Sequence, residues 1–157
     1  YRGIVAAMEV WNQEFDRPVF ELIGRTQDLP APVLSGQGQV VPDGYNGIYV
    51  VARETFENSA QKDEQARTSI SFRGDFIYES DILIDGSENF YHEDVAIQSN
   101  SGRVQFKSLM IHELGHVLGL GHIDEPSLKS VMHSKLQYGE FRAELAEVDR
   151  ASLACEY

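Results

Sequence analysis

Cysteine is nearly absent from this 157-residue chain. Cys155 is the only one, so no intrachain disulfide can form, nothing follows about a redox compartment, and buried packing is its expected role. Long apolar runs are missing as well. None approaches the ~20 residues that cross a bilayer, and the N-terminus lacks the charged-then-apolar pattern of a signal peptide. Basic residues are scarce, 13 against 25 acidic ones, and a net charge of −12 argues against nucleic acid and anionic membrane as partners. Internal repeats and low-complexity tracts are absent too. What remains is a chain of one-domain length whose 42% hydrophobic content suits a soluble globular core. Most single acidic clusters on it need no role beyond solvation, although acid-rich loops can hold calcium.

Against these absences one stretch stands out: His112-Glu113-Leu114-Gly115-His116-Val117-Leu118-Gly119-Leu120-Gly121-His122. On a helix, His112 and His116 are four residues apart and project from one face, one turn from each other, so both can grip one ion. A catalytic zinc site takes three protein ligands and keeps a position for water. His122 is placed to be the third, provided the chain turns sharply after His116. Gly119 stands where that turn is needed, because glycine tolerates positive φ, and Leu118 and Leu120 can pack the turn inward. Three neutral imidazoles leave the ion's full charge acting on a water, and Glu113, beside the first ligand, is the natural base for that water's proton. A bare H-E-x-x-H coincides easily; the added glycine and third histidine make this pattern far more specific. Ten residues on, Ser130-Val131-Met132-His133 has the form of the Met-turn that accompanies the extended motif.

Elsewhere the periodicities outline the scaffold. Apolar residues at Ile4, Ala7, Met8 and Trp11 predict an opening helix over Gly3 to Phe15, ended by Arg17-Pro18, and Val19 to Ile23 reads as a strand. Asp28 to Gly47, with prolines at 30, 32 and 42, reads as a loop. Ile48 to Ala52 is a short strand, and Phe56 to Glu64 a polar connection. Ala66 to Phe72 and Phe76 to Asp85 alternate as a hairpin around Arg73-Gly74-Asp75, with an irregular step near Ser80. That tripeptide also occurs as an adhesion motif, but turn residues at a hairpin tip explain it with no partner. Gly86 to Asn100 is acidic and irregular, Val104 to Leu120 is the active-site helix, and Phe141 to Tyr157 is a closing helix with Leu145, Val148 and Leu153 on one side.

With zinc motif and Met-turn in hand, the chain resembles the metzincin metallopeptidases, most closely the matrixin branch. Leu118-Gly119-Leu120 looks matrixin-like, and Leu145, Asp149, Leu153 and Tyr157 match the spacing of that branch's final helix. Astacins and serralysins carry a tyrosine two residues after the Met-turn methionine, where this chain has Ser134, and Ile123 departs from the residues usual after the third histidine. The resemblance implies an α+β fold: one metzincin-like zinc peptidase domain over residues 1–157, with a mixed twisted sheet, three helices, the active-site helix and the Met-turn. The family's first strand, expected ahead of the opening helix, has no counterpart at the start of this sequence. The resemblance further implies that Ala66 to Ile70 is the edge strand above the cleft, where Thr68, Ser69 and Ile70 would bind an extended peptide by strand addition. Phe76 to Asp85 would lie beside it. Ser108 and the segment holding His133, Leu136 and Tyr138 would line the pocket beyond the scissile bond, and Asp149 would support the Met-turn backbone. Small Ser108 suggests a pocket open at its base, suited to a medium or large apolar side chain.

Three departures from the family bear on cofactors. Only His92 and His133 lie outside the motif, so the three-histidine structural zinc site of vertebrate matrixins cannot be assembled, and one zinc is expected. The stretch from Asp85 to the active-site helix is short, leaving Asp81, Asp85, Glu88 and Asp94 as candidates for one calcium. Val148 takes the place of the first of two adjacent aspartates, which removes the family's partner for a newly cleaved N-terminus. The expected activity is hydrolysis of peptide bonds by metal-activated water with Glu113 as general base, by a monomeric, secreted or periplasmic endopeptidase acting on protein. Two other readings use the same residues: a non-cleaving, metal-stabilised binding module on the same scaffold, and a metallohydrolase of non-peptide amides.

Overall fold

The computed structural model describes residues 1–24, 31–57 and 64–157. They form two compact units, Tyr1–Ile23 with Asn89–Tyr157, and Gly24–Glu88.

The first unit is helical. Helix α1 (Arg2–Asn12) buries Ala7, Met8 and Trp11, the face its apolar spacing marked out. It ends sooner than its sequence pattern suggests because Asn12 turns the chain back on itself. The Asn12 side chain accepts from the amides of Val19 (3.0 Å) and Phe20 (2.9 Å) and donates to the Phe20 carbonyl (2.9 Å). Val19 to Ile23, read as a strand, is irregular and joins no ladder, and its first two residues are tied to the Asn12 side chain. Two short parallel strands, Phe90–Tyr91 and Val104–Gln105, then bring the chain to the central helix; a single turn of 3₁₀ helix (Ser99–Ser101) lies between them. The acidic irregular stretch thus contains a strand that alternation over two residues could not reveal.

The central helix, α3, spans Phe106–Val117. It starts two residues later than expected because Gln105 caps it: the Gln105 side chain accepts from the Ser108 amide at 2.5 Å and donates to the Glu93 carbonyl at 3.2 Å. α1 packs on α3, and the Trp11 indole donates to the Ile111 carbonyl at 2.9 Å. The last helix, α4, runs Glu147–Glu156, not from Phe141. Its first turn is set by Asp149, whose carboxylate accepts from the Ala146 amide at 2.8 Å and so begins the helix there. Leu145, just ahead of it, and Leu153 are buried. Cys155 is exposed, which corrects the expectation of buried packing.

The second unit is built on a mixed three-stranded sheet in the order β1-β3-β2. β1 (Ile48–Val51) runs parallel to β3 (Phe76–Asp85), and β2 (Ala66–Arg73) pairs antiparallel with β3 and forms a sheet edge. Arg73 pairs with Phe76 across the tight turn at Gly74-Asp75. The register skips Tyr78, between the pairs Ser71–Glu79 and Phe72–Ile77, so the irregular step falls two residues before Ser80. Ile82, Leu83 and Ile84 are all buried, and Leu83 packs with Val40 and Phe56. A short helix, α2 (Glu54–Glu57), leads into the polar connection; residues 58–63 of that connection, and 28–30 of the proline-bearing loop, lie outside the described residues. Among the described residues no helix is long and apolar enough to cross a membrane.

Candidate metal centre

α3 carries His112 and His116 to one face, and the chain then reverses within three residues. The Gly119 amide donates to the His116 carbonyl (2.8 Å) and the Leu120 amide to the Gly115 carbonyl (3.0 Å), with Gly119 at φ 88°. An L side chain would be strained there. Leu118 and Leu120 are buried under the reversal, as their pattern implied. The Ile123 amide then donates to the Met132 carbonyl at 2.9 Å, which fixes the direction in which His122 returns.

The result is convergence of three ring nitrogens. His116 Nε2 lies 3.1 Å from His112 Nε2 and 3.2 Å from His122 Nε2. Among the described residues this is the only group of three or more histidine, cysteine, aspartate or glutamate side chains whose ligand atoms come within 4.8 Å of one another. The far nitrogens of the two helix imidazoles are tied: His112 Nδ1 donates to the Val131 carbonyl (2.9 Å) and His116 Nδ1 to the Leu120 carbonyl (2.7 Å). Those bonds place the proton on Nδ1 and leave the Nε2 lone pairs pointing at each other. Lone pairs so placed repel unless a cation sits among them. Zinc held tetrahedrally at ~2.05 Å from each nitrogen requires nitrogens about 3.3 Å apart, so the donor set fits. Electrostatics agree. Burial, then the neighbouring His116, push the His112 pKa down to about 3, and burial also lowers that of His116, so both rings are neutral in ordinary buffers, as metal ligands must be.

Beneath the histidines lies the Ser130-Val131-Met132 turn. Met132 is fully buried, and the space beside it belongs to Gly115, where a Cβ would come within 2.3 Å of the Met132 sulfur and 3.1 Å of the Trp11 ring. Asp149, itself fully buried, holds the turn: one carboxylate oxygen accepts from the Ser130 hydroxyl (2.5 Å), the other from the Val131 amide (3.1 Å). Ser130 in turn accepts from the Met132 amide at 2.8 Å. The path from Asp149 through Val131 to His112 Nδ1 is continuous. Glu113, adjacent to His112 on α3, is buried.

The other residues singled out by the sequence are distributed more widely. Ser108 is buried one turn before His112, and its hydroxyl accepts from the Arg142 amide at 2.8 Å. His133 is half-buried; its ring donates to the Leu128 carbonyl (2.9 Å) and lies 3.9 Å from Asp124. Leu136 is half-buried and Tyr138 exposed, so the segment after Met132 presents side chains to solvent. Thr68, Ser69 and Ile70 belong to the second unit, on the edge strand β2; Thr68 and Ile70 are half-buried, while the buried Ser69 hydroxyl accepts from the Val40 amide at 3.0 Å.

The calcium candidates are divided between the two units. Asp94 lies in the first unit, exposed and 3.8 Å from Lys107, whereas Asp81, Asp85 and Glu88 lie in the second. Asp85 is fully buried, paired with Arg53 at 2.5 Å and bonded to the Ser87 amide and hydroxyl. Burial alone would raise its pKa, but Arg53 and Ser87 hold it below the usual carboxylate range. Asp81 accepts from the Gly47 amide at 2.9 Å. Its charge is disfavoured, since burial and the nearby Glu79 and Asp43 push its pKa up to about 6 despite that bond. Protein donors occupy the Asp81 and Asp85 carboxylates, and among the described residues no three of the four candidates bring ligand atoms within 4.8 Å of one another.

Three positioning residues escaped the sequence reading. Gln105 caps the ligand helix, Asp124 accepts from the Ser134 amide (2.9 Å) across the loop that returns His122, and Arg142 binds backbone around Met132. Each acts through main-chain contacts that leave no spacing signature. A family model described as Matrixin, a peptidase model, matches residues 51–157, more than half of the chain. No curated protein matches it.

Proposed function

The chain belongs to the matrixin family of zinc metallopeptidases, and from that premise we propose that residues 1–157 are one catalytic domain, an endopeptidase in which His112, His116 and His122 hold a single zinc and Glu113 is the general base. The observation that carries the assignment is the convergence of three Nε2 atoms, two of them on rings whose Nδ1 donates to a backbone carbonyl.

Zinc bound there would supply a cation that lowers the pKa of a water to about 7 and polarises the scissile carbonyl. The chain's own residues do the rest. Val131 and Leu120 carbonyls keep His112 and His116 in the tautomer that offers Nε2. Glu113 takes the proton from the attacking water and delivers it to the departing amine, which balances the hydrolysis. Asp149 and Met132 hold the floor under the ligands through the Ser130–Met132 turn. The segment 133–138 with Ser108 forms the pocket for the side chain after the scissile bond, and Thr68, Ser69 and Ile70 offer strand edge to an extended peptide. An extracellular or periplasmic setting belongs to the same reading, and so does a monomer. No step of this reading uses calcium.

The test compares zinc content and hydrolysis of a quenched peptide for the native chain and Glu113→Gln. One zinc per chain in both, with turnover reduced by about 10²–10⁴ in the variant, is the expected result. Equal turnover would remove Glu113 from the reaction; zinc with no turnover in either form would leave a binding module.

A further inference from the structure

One arginine binds the backbone on both sides of Met132, and the hydrolytic reaction does not use it. Arg142 lies in the irregular stretch ahead of α4 with its side chain 15% exposed. Its Nη1 donates to the carbonyls of Ser130 (3.3 Å) and His133 (3.4 Å), one before Met132 and one after. Its Nη2 donates to the Lys135 carbonyl and to Glu140 Oε2 (3.4 Å), and Glu140 Oε1 lies 2.9 Å from Nε. Its main-chain amide donates to the Ser108 hydroxyl on α3 at 2.8 Å. A single residue therefore ties the ligand helix to three successive points of the segment that follows the metal site.

The far end of that segment is fixed independently. The Gly139 carbonyl accepts from the Ile97 amide (2.9 Å), and the Gly139 amide donates to the Arg103 carbonyl (2.8 Å). Between the two anchors, Ser134, Lys135, Gln137 and Tyr138 are exposed and Leu136 is half-buried. Within the span the Ser134 amide donates to Asp124 (2.9 Å) and the Gln137 amide to Glu140 (2.9 Å). Of the side chains that hold it, the Arg142 guanidinium reaches the most main-chain carbonyls, those of Ser130, His133 and Lys135. Its rigid planar fork serves several carbonyls at once, which the single ammonium of lysine cannot reproduce.

We propose that Arg142 is the positioning residue that sets the width of the pocket walled by residues 133–138, and thereby the choice of an apolar side chain after the scissile bond. The inference rests on the peptidase reading for which side chain fills the pocket, but it involves no chemistry at the metal. Its test avoids turnover. Zinc-loaded native protein, Arg142→Lys and Arg142→Ala are titrated calorimetrically with non-cleavable peptide hydroxamates that differ only in bearing an alanine, leucine or phenylalanine side chain at that position. Native protein prefers the leucine or phenylalanine compound to the alanine one by about tenfold or more. That ratio falls toward one in Arg142→Ala and drops substantially in Arg142→Lys, while zinc stoichiometry and affinity for the alanine compound are retained. Hydrogen exchange on the metal-free proteins shows amides 133–138 opening faster in the variants and those of α3 unchanged.

An unchanged ratio in both variants overturns the proposal. So does an equal loss for every ligand, which marks a merely structural role, and so does a flat ranking in the native protein. Should Arg142→Ala fail to fold, Arg142→Lys decides alone. A native protein that ranks the hydroxamates yet cleaves no peptide defeats the peptidase reading and leaves this inference standing; cleavage with unaltered ranking in the variants does the reverse.

Discussion

Two stretches of this molecule carry metal-ligating side chains close together, and they are built in opposite ways. In the histidine group the outward nitrogens of His112 and His116 are tied to carbonyls, while the three inner Nε2 atoms turn toward one another. In the acidic stretch the ligand oxygens themselves are taken. Glu79 accepts from the Asp43 and Gly44 amides (2.7 Å each), Asp81 from Gly47, and Asp85 from Arg53 and Ser87. The difference teaches that ligand-type residues make a site only where the protein satisfies their second atoms and leaves the first ones facing a common point. Clustered carboxylates whose oxygens already receive N–H groups are structural joints.

The sharpest way to break that contrast is to remove the central imidazole. His116 is the nitrogen that both others approach, so His116→Ala should lose more zinc affinity than the roughly 10–100-fold that loss of an outer partner costs. Peptide hydrolysis should vanish with it. Zinc content after dialysis at fixed free metal, measured alongside turnover, checks both. Retention of a full zinc equivalent would show that the metal is held elsewhere.

On the acidic side the corresponding change is Arg53→Met, which strands the Asp85 carboxylate in a fully buried position. Breaking a buried pair costs about 3–5 kcal/mol, and because the Arg53 side chain is 29% exposed the expected loss is about 2–3 kcal/mol. At 2–4 °C per kcal/mol, this lowers the melting temperature by about 4–12 °C at pH 7. The sign with pH follows from the lowered pKa of Asp85. The pair's contribution is present above the unfolded carboxylate's value, near 4, and is lost as pH falls through the lower folded value, so native and variant melts should converge under strongly acid conditions. Zinc content should not change.

These two regions also differ in how far sequence reaches. The histidine group is legible because a four-residue helical spacing, one glycine and a short return determine where three side chains go; Gly119 at φ 88° is the conformation its position called for. The hairpin and the core helices were legible from periodicity too, the mixed sheet only from the family resemblance, and the matrixin match supports the α+β assignment. What could not be read is whatever depends on side chains meeting backbone at long range. Asn12 shortens α1 and holds Phe20, Asp149 starts α4 at Ala146, Arg142 gathers carbonyls from Ser130 to Lys135, and Arg53 consumes Asp85 from 32 residues away. The acidic quartet has the same limit: composition gives the charges, but not the donors that hold Asp81 and Asp85.

Asp81 gives the finest test of the comparison, because it is the acidic residue whose charge the fold least tolerates. Its pKa of about 6 lies above the ordinary carboxylate value, so the folded state prefers the protonated form. Stability linked to that preference is fully present below about pH 4, declines as the unfolded carboxyl ionises, and is gone above pH 6. Asparagine keeps an oxygen for the Gly47 amide and removes the charge. Asp81→Asn should therefore stabilise the protein at pH 8 by something on the order of 2 kcal/mol, a few degrees in melting temperature, with the advantage closing toward pH 4. If a cation instead belonged at this position, its charge would need the carboxylate: added calcium would raise the melting temperature of the native chain alone, and Asp81→Asn would be the less stable of the two. Melts at pH 4 and pH 8, with chelator and with calcium, distinguish a buried acid that the fold merely tolerates from a ligand awaiting its metal.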